Sequence, residues 1–262
     1  MDLEEKGKGF IVVGGSKGMG FEVAKLLAAS GARIAIISRH GAEDALATLP
    51  PDLGNNITSI LGDATQAESI DHAISQAVET LGSVHGLVTA NAERRYGDLL
   101  DSSDADWLHA FESVVMGTVR CCRALIPHMI NAGGGSIVTL GAYSARSPKS
   151  YLFPYASSKA SIVNITKNIA RAYGAQGIRA NCVCPGVIET ERSKKRLDDL
   201  VIEHRINRVE AGSLDIANLG MNVALKRLGK PNEVANLITF LLGEKSAYIS
   251  GALINIDGGT EF

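Results

Sequence analysis

The chain has 262 residues, 45% of them hydrophobic, with 26 Lys and Arg against 28 Asp and Glu and a formal net charge of −2. This suits one packed domain rather than a disordered chain. There is no basic stripe for nucleic acid, no apolar run of membrane-spanning length, and in MDLEEKGKGF no basic stretch ahead of an apolar one. A cytoplasmic protein with neither nucleic-acid nor membrane partners is expected.

In chain order, FIVVG (10–14) reads as a buried strand and runs into VVGGSKGMG (12–20). Gly14, Gly18 and Gly20 give G-x3-G-x-G between a strand and a helix. There, glycines let the chain turn tightly and approach a pyrophosphate that the helix N-terminus stabilises. Segment 20–31 carries Val23, Leu26 and Leu27 on one face and ends at Gly31, as a helix does. Strands follow at 32–38, 57–61 and 86–90, with a helix at 67–82 after the second of these. A long helix is predicted over about 104–130, then a strand at 135–140, a helix near 155–174 and a strand at 178–184. A helix near 231–243 and a strand at 252–256 complete the series. Apolar strands alternating with helices predict an α/β fold. It is a single Rossmann domain over 1–262, a doubly wound parallel sheet of about seven strands with helices on both faces. The polar stretch 186–228 interrupts the alternation and reads as a lid over a site, although a solvated helical excursion has the same composition. The cysteines, Cys121-Cys122 and Cys182 with Cys184, lack zinc spacing. No metal is expected, and all four read as buried reduced thiols.

Four motifs stand in order over roughly residues 9–260: the glycine turn, Tyr-x3-Lys at 155–159, CPGVIET at 184–190 and IDGG at 256–259. Together they resemble the short-chain dehydrogenase/reductases. The stretch RLGKPNEVANLITFLLGEKSAYISGALINIDGG is similar to the ketoacyl-carrier-protein-reductase-like members. The resemblance implies a nicotinamide dinucleotide, a small-molecule carbonyl or alcohol substrate and, commonly, a homotetramer (or homodimer). It adds Ser16, Lys17 and Met19 to the glycines of the cofactor turn. Asp63, with Ala64 beside it, matches the adenine-contacting acid, though a helix N-cap explains Asp63 equally well. Asn91 matches the asparagine beside the cofactor, in a register open by one residue because Glu93 replaces the usual glycine. Pro185 and Gly186 would pack on the nicotinamide, and Ile188 and Thr190 would contact its carboxamide.

NAD enzymes usually carry a carboxylate at the end of the second strand for the ribose 2′-hydroxyl. Here Ser38 stands there, followed by Arg39, and Lys17 lies in the glycine turn. Two cations without an acid suit a 2′-phosphate, so NADP(H) is expected.

Tyr155 and Lys159 are four residues apart, on one helix face. A free tyrosine has a pKa of about 10, too high for ready proton exchange near neutrality, and a close ammonium lowers it. Tyr155 is therefore the expected general acid/base and Lys159 its modulator. By resemblance, Lys159 also binds the nicotinamide ribose. The expected activity is an NADP(H)-dependent interconversion of a ketone and a secondary alcohol.

The chain departs from the family pattern at three places. Val13 replaces the usual threonine, Val114 stands where an asparagine holds a proton-relay water, and Ala142 occupies the serine position thirteen residues before Tyr155. Ser144, two residues on, is the candidate replacement, with Tyr143 and Tyr151 as nearby hydroxyls. These losses leave open a second reading, a dinucleotide-binding sensor or scaffold with weak catalysis. A third is reduction of a phenolic or quinonoid ring, which depends less on the serine.

Overall fold

The computed structural model describes residues 5–91, 93 and 96–260. Seven strands form one parallel sheet in the order β3-β2-β1-β4-β5-β6-β7. They are β1 (Gly9–Val13), β2 (Arg33–Ser38), β3 (Ile57–Leu61), β4 (Gly86–Thr89), β5 (Gly135–Leu140), β6 (Ile178–Pro185) and β7 (Leu253–Ile256). The strand order reverses between β1 and β4. The crevice outside their carboxyl ends is where open α/β sheets hold ligands.

Both faces of the sheet are covered, as the apolar strands require. In β1 the side chains alternate: Ile11 and Val13 pack with α4 (Ala67–Leu81) and α6 (Gly117–Asn131), while Phe10 and Val12 pack with α1 (Gly18–Ala29) and α10 (Pro231–Leu242). Full burial of each such Ile, Val or Phe stabilises the fold by about 1.5–3 kcal/mol. The remaining major helix, α7 (Phe153–Tyr173), lies on the α4/α6 side, with Ile169 in that core.

Three features depart from the sequence reading. The helix expected at 104–130 is α5 (Asp104–Ala110) joined to α6 by a π-helical turn, Phe111–Met116. Hydrophobic spacing does not distinguish such a turn, because it adds one residue without breaking the helix. Segment 186–228 contains two amphipathic helices, α8 (Glu191–His204) and α9 (Arg208–Asn218). Leu197, Leu200, Ala211, Ile216 and Met221 form their shared small core with Tyr143. Two single-turn helices, α2 (Glu43–Leu46) and α3 (Pro51–Gly54), are too short to have a period.

Arg179 on β6 ties the sheet to the end of α10. It donates to the carbonyls of Leu241, Leu242, Gly243 and Ile249 at 3.0–3.3 Å, satisfying acceptors that a helix C-terminus leaves open. Burial holds its pKa below the usual arginine range. Arg179→Met should lower unfolding free energy by about 1–2 kcal/mol, from the lost charge-assisted hydrogen bonds, since Ser136, Ser246 and Asn181 still serve the carbonyls of Leu241, Gly243 and Ile249; urea denaturation measures this.

Candidate active site

A cleft of about 1280 Å³ opens at the carboxyl ends of the strands. At one end the glycine turn wraps against β4. Gly14 has φ +81, and a Cβ there would lie 2.8 Å from Ala90 C and Asn91 N. A Cβ on Gly20 would lie 2.5 Å from Gly14 O, so the start of α1 seats on the turn only without side chains. Gly18 has open space around it and is required instead by its φ of +58. No side chain caps the N-terminus of α1, which borders the cleft with its first N–H groups open to an anion. This glycine turn fits a dinucleotide pyrophosphate.

All the expected cofactor residues border the cleft: Gly14, Ser16, Lys17, Gly18, Met19, Gly20, Arg39, Asp63, Ala64, Asn91, Tyr155, Lys159, Pro185, Gly186, Ile188 and Thr190. At the end of β2, the Ser38 hydroxyl turns away to donate to Gly41 O at 2.7 Å, leaving Arg39 and His40 on the wall. His40 carries no motif and was not anticipated. Asp63 Oδ1 accepts from the backbone N–H and hydroxyl of Thr65, at 2.9 and 2.8 Å. Helix α4 begins at Ala67 with Gln66 in the cap position, so the N-cap reading of Asp63 does not hold. The Asn91 amide donates to Ser113 O at 3.0 Å, and the Thr118 hydroxyl to Val114 O at 2.9 Å. Both acceptors belong to the π-helical turn, whose carbonyls are thus held by side chains. Gly186 lies where a Cβ would meet Asp257 Cα at 2.7 Å, which joins the CPG and IDGG motifs in one contact.

Tyr155 and Lys159 lie on the floor between β5 and β6, 7% and 3% exposed. The Lys159 ammonium donates to Leu140 O at 2.5 Å and sits 5.7 Å from the centre of the Tyr155 ring. Val114 and Ala142, the two positions that lack their polar family residue, belong to the same apolar cluster as Tyr155, with Leu152 and Ile162.

Ser144 departs from expectation. It lies in a single 3-10 turn, Tyr143–Ala145, that follows Ala142 directly. Ala142 and Tyr143 border the cleft and Ser144 does not. Its side chain is 1% exposed, and its hydroxyl has no hydrogen-bond partner among the described residues. The extended backbone that would have aimed residues 142 and 144 alike is replaced by a helical turn, which rotates them apart.

The other wall is built by elements whose composition gave no sign of it. Glu93 and His109 approach within 3.3 Å, beside Tyr96, which stacks on Tyr151 at 6.3 Å between centroids. Residues 94 and 95 lie outside the described residues, as does Ala92 of TANAE. Arg196 on α8 forms a two-point pair with the buried Asp215 of α9. The 186–228 segment is tethered to the loop before α7: Tyr151 Oη donates to Leu219 O at 3.1 Å, and Lys149 Nζ to Gly220 O at 2.9 Å.

A glycine cradle at the sheet's switch point, leading to a buried Tyr-Lys pair, defines an oxidoreductase of the Rossmann type that binds a nicotinamide dinucleotide. The profile of the family described as Enoyl-(Acyl carrier protein) reductase matches residues 13–261, and the chain belongs to the short-chain dehydrogenase/reductase family, on its ketoacyl-reductase-like side. It is 32% identical over 252 residues to Dehydrogenase/reductase SDR family member 4 of Oryctolagus cuniculus, covering 95% of this chain and 92% of that one. It is 28% identical to the 3-oxoacyl-(acyl-carrier-protein) reductase FabG of Chlamydia muridarum, over 96% of each. The L-sorbose reductase of Gluconobacter frateurii, solved with NADPH and L-sorbose, is similar at a TM-score of 0.89 and 27% identity, covering 99% of this chain and 98% of that one. A short chain oxidoreductase from Pseudomonas aeruginosa PAO1, described as containing an atypical catalytic center, reaches 0.90 at 26% identity with the same coverage.

Ser144→Ala tests the displaced serine. Removing a buried hydroxyl without a partner should leave stability unchanged or raise it by about 1 kcal/mol, with turnover within about twofold of the parent. Thermal unfolding and steady-state kinetics measure the two.

Proposed function

We propose that the protein is an NADP(H)-dependent reductase of ketones, running also as an alcohol dehydrogenase, with Tyr155 as general acid/base. The observation that carries this reading is the burial of Tyr155 and Lys159 together at the floor of the cleft. When bound, the nicotinamide supplies or accepts a hydride. Tyr155 gives its phenolic proton to the carbonyl oxygen, or takes it back in the oxidative direction. The Lys159 ammonium electrostatically favours the phenolate left behind. Lys17 and Arg39 border the adenosine end, and Ser38 leaves no acid there to repel a 2′-phosphate. The NADPH in the Gluconobacter frateurii neighbour supports the same choice.

With Ala142 at the serine position, the substrate oxygen is held chiefly by Tyr155, and by Tyr143, whose residue borders the cleft one position on. Loss of one oxyanion donor costs about 10²–10³ in rate in other enzymes, which slows a reductase without abolishing it. The sensor or scaffold reading is motivated by the same loss at Ala142 and by Val114. A homotetramer is proposed from the family alone.

Turnover of NADPH with a panel of cyclic and aliphatic ketones separates the readings. Tyr155→Phe should reduce kcat by about 10²–10⁴ and leave NADPH binding nearly intact. Tight NADPH binding with no Tyr155-dependent turnover would decide for the sensor. Lys17→Ala with Arg39→Ala should weaken NADPH binding by about 10- to 100-fold, from the loss of charge-assisted contacts, while leaving NADH binding unchanged.

A further inference from the structure

Beneath the cleft floor are two thiols that the reductase chemistry does not use. Cys182 and Cys184 stand two residues apart on β6, so their side chains share a face. Their Sγ atoms are 4.0 Å apart. Both are buried, within the apolar cluster that holds Val114, Ala142 and Tyr155. The Lys159 ammonium, anchored on Leu140 O at the same floor, is the cation that acts on both sulfurs. The other cysteines lack this environment. Cys121 and Cys122 are adjacent on α6, and burial raises both.

The sulfur separation decides what can bridge the pair. A disulfide requires Sγ atoms about 2.05 Å apart and Cβ atoms about 3.5–4.5 Å apart. Closing that distance would buckle β6 where it is paired with β5 on one side and β7 on the other. A linear two-coordinate cation needs the sulfurs at about twice a metal–sulfur bond of ~2.3 Å, that is ~4.6 Å, a small opening from the present spacing. Among the described residues no group of three or more side chains could hold a metal. That set of two ligands fails zinc, which takes four, and suits a soft monovalent ion. Two thiolates around a monovalent cation carry one negative charge, which the neighbouring Lys159 ammonium balances. An entry side is also defined. Gly141 borders the cleft and lies over both sulfurs, and a Cβ there would sit 2.5 Å from Cys184 Sγ and 2.8 Å from Cys182 Sγ.

The geometry points to Cys182 and Cys184 as a two-coordinate site for monovalent copper, entered from the cleft past the Gly141 backbone. Binding exchanges two S–H bonds for two S–Cu bonds and releases two protons. Copper stays monovalent and no electron is transferred.

The test uses the full chain, reduced and kept anaerobic, with copper supplied as its coloured bathocuproine disulfonate complex. The parent should bleach about one equivalent per chain, more readily at higher pH because protons leave. Cys182→Ser and Cys184→Ser should each abolish this uptake, and the double variant Cys121→Ser/Cys122→Ser should retain it. Thermal unfolding checks that each variant folds, and an alanine replaces any serine that prevents folding. Failure of the folded parent to bleach the complex overturns the proposal. So does uptake that persists without Cys182 and Cys184. A peroxide-treated, still folded chain in which these two cysteines are found as a disulfide would also overturn it, since the spacing argument would then be wrong. The colour is read without any turnover, so the result is independent of the reductase assignment.

Discussion

The site depends on one buried charge. Lys159 is almost fully enclosed, and its ammonium is anchored on the carbonyl of Leu140 at the end of β5. Among the described residues it forms no ion pair. An enclosed ammonium without a carboxylate is costly, by several kcal/mol even after relaxation, and the Tyr155 ring packs with its centre 5.7 Å from it. β5 fixes the lysine's height and α7 fixes its direction, so strand and helix together set the electrostatics of the floor. The rest of the cleft lies about this charge: the glycine turn, Lys17 and Arg39 beside it, and the first turns of α8 at the other wall.

Val114 and Ala142 pack in one apolar cluster with Tyr155, Leu152 and Ile162. Neither side chain carries a hydrogen-bonding group, so neither leaves an unmet donor or acceptor in that cluster. The carbonyls of Ser113 and Val114 in the π-helical turn are taken by the Asn91 amide and the Thr118 hydroxyl.

The fold was readable from the sequence because its strands are buried on both faces and separated by helices with clear caps or glycines. All seven strands lie within a residue of where their apolar runs predict them. That the glycine turn and CPGVIET would border one cleft was readable for a related reason: a tight turn with positive φ and close backbone approach admits glycine and little else. The substrate wall was not readable. Glu93 meets His109 and Arg196 meets Asp215 through tertiary contacts, and no spacing along the chain records either meeting. Ser144 shows the limit most directly. Counting residues as if the chain were extended gave it the right side of the loop, but one 3-10 turn, invisible to periodicity, rotates it away from the cleft.

The tethers at Tyr151 and Lys149 anchor the segment after α9 from outside. Both side chains belong to the loop before α7, and both grip backbone carbonyls, at Leu219 and Gly220. Whatever residue stands at 219 offers the same carbonyl, so that contact survives substitution there. Gly220 is held to glycine by its φ of +61 rather than by the contact it accepts. The anchorage of α8 and α9 is thus supplied by a hydroxyl and an ammonium on a neighbouring loop, and side chains within the two helices can change without touching it.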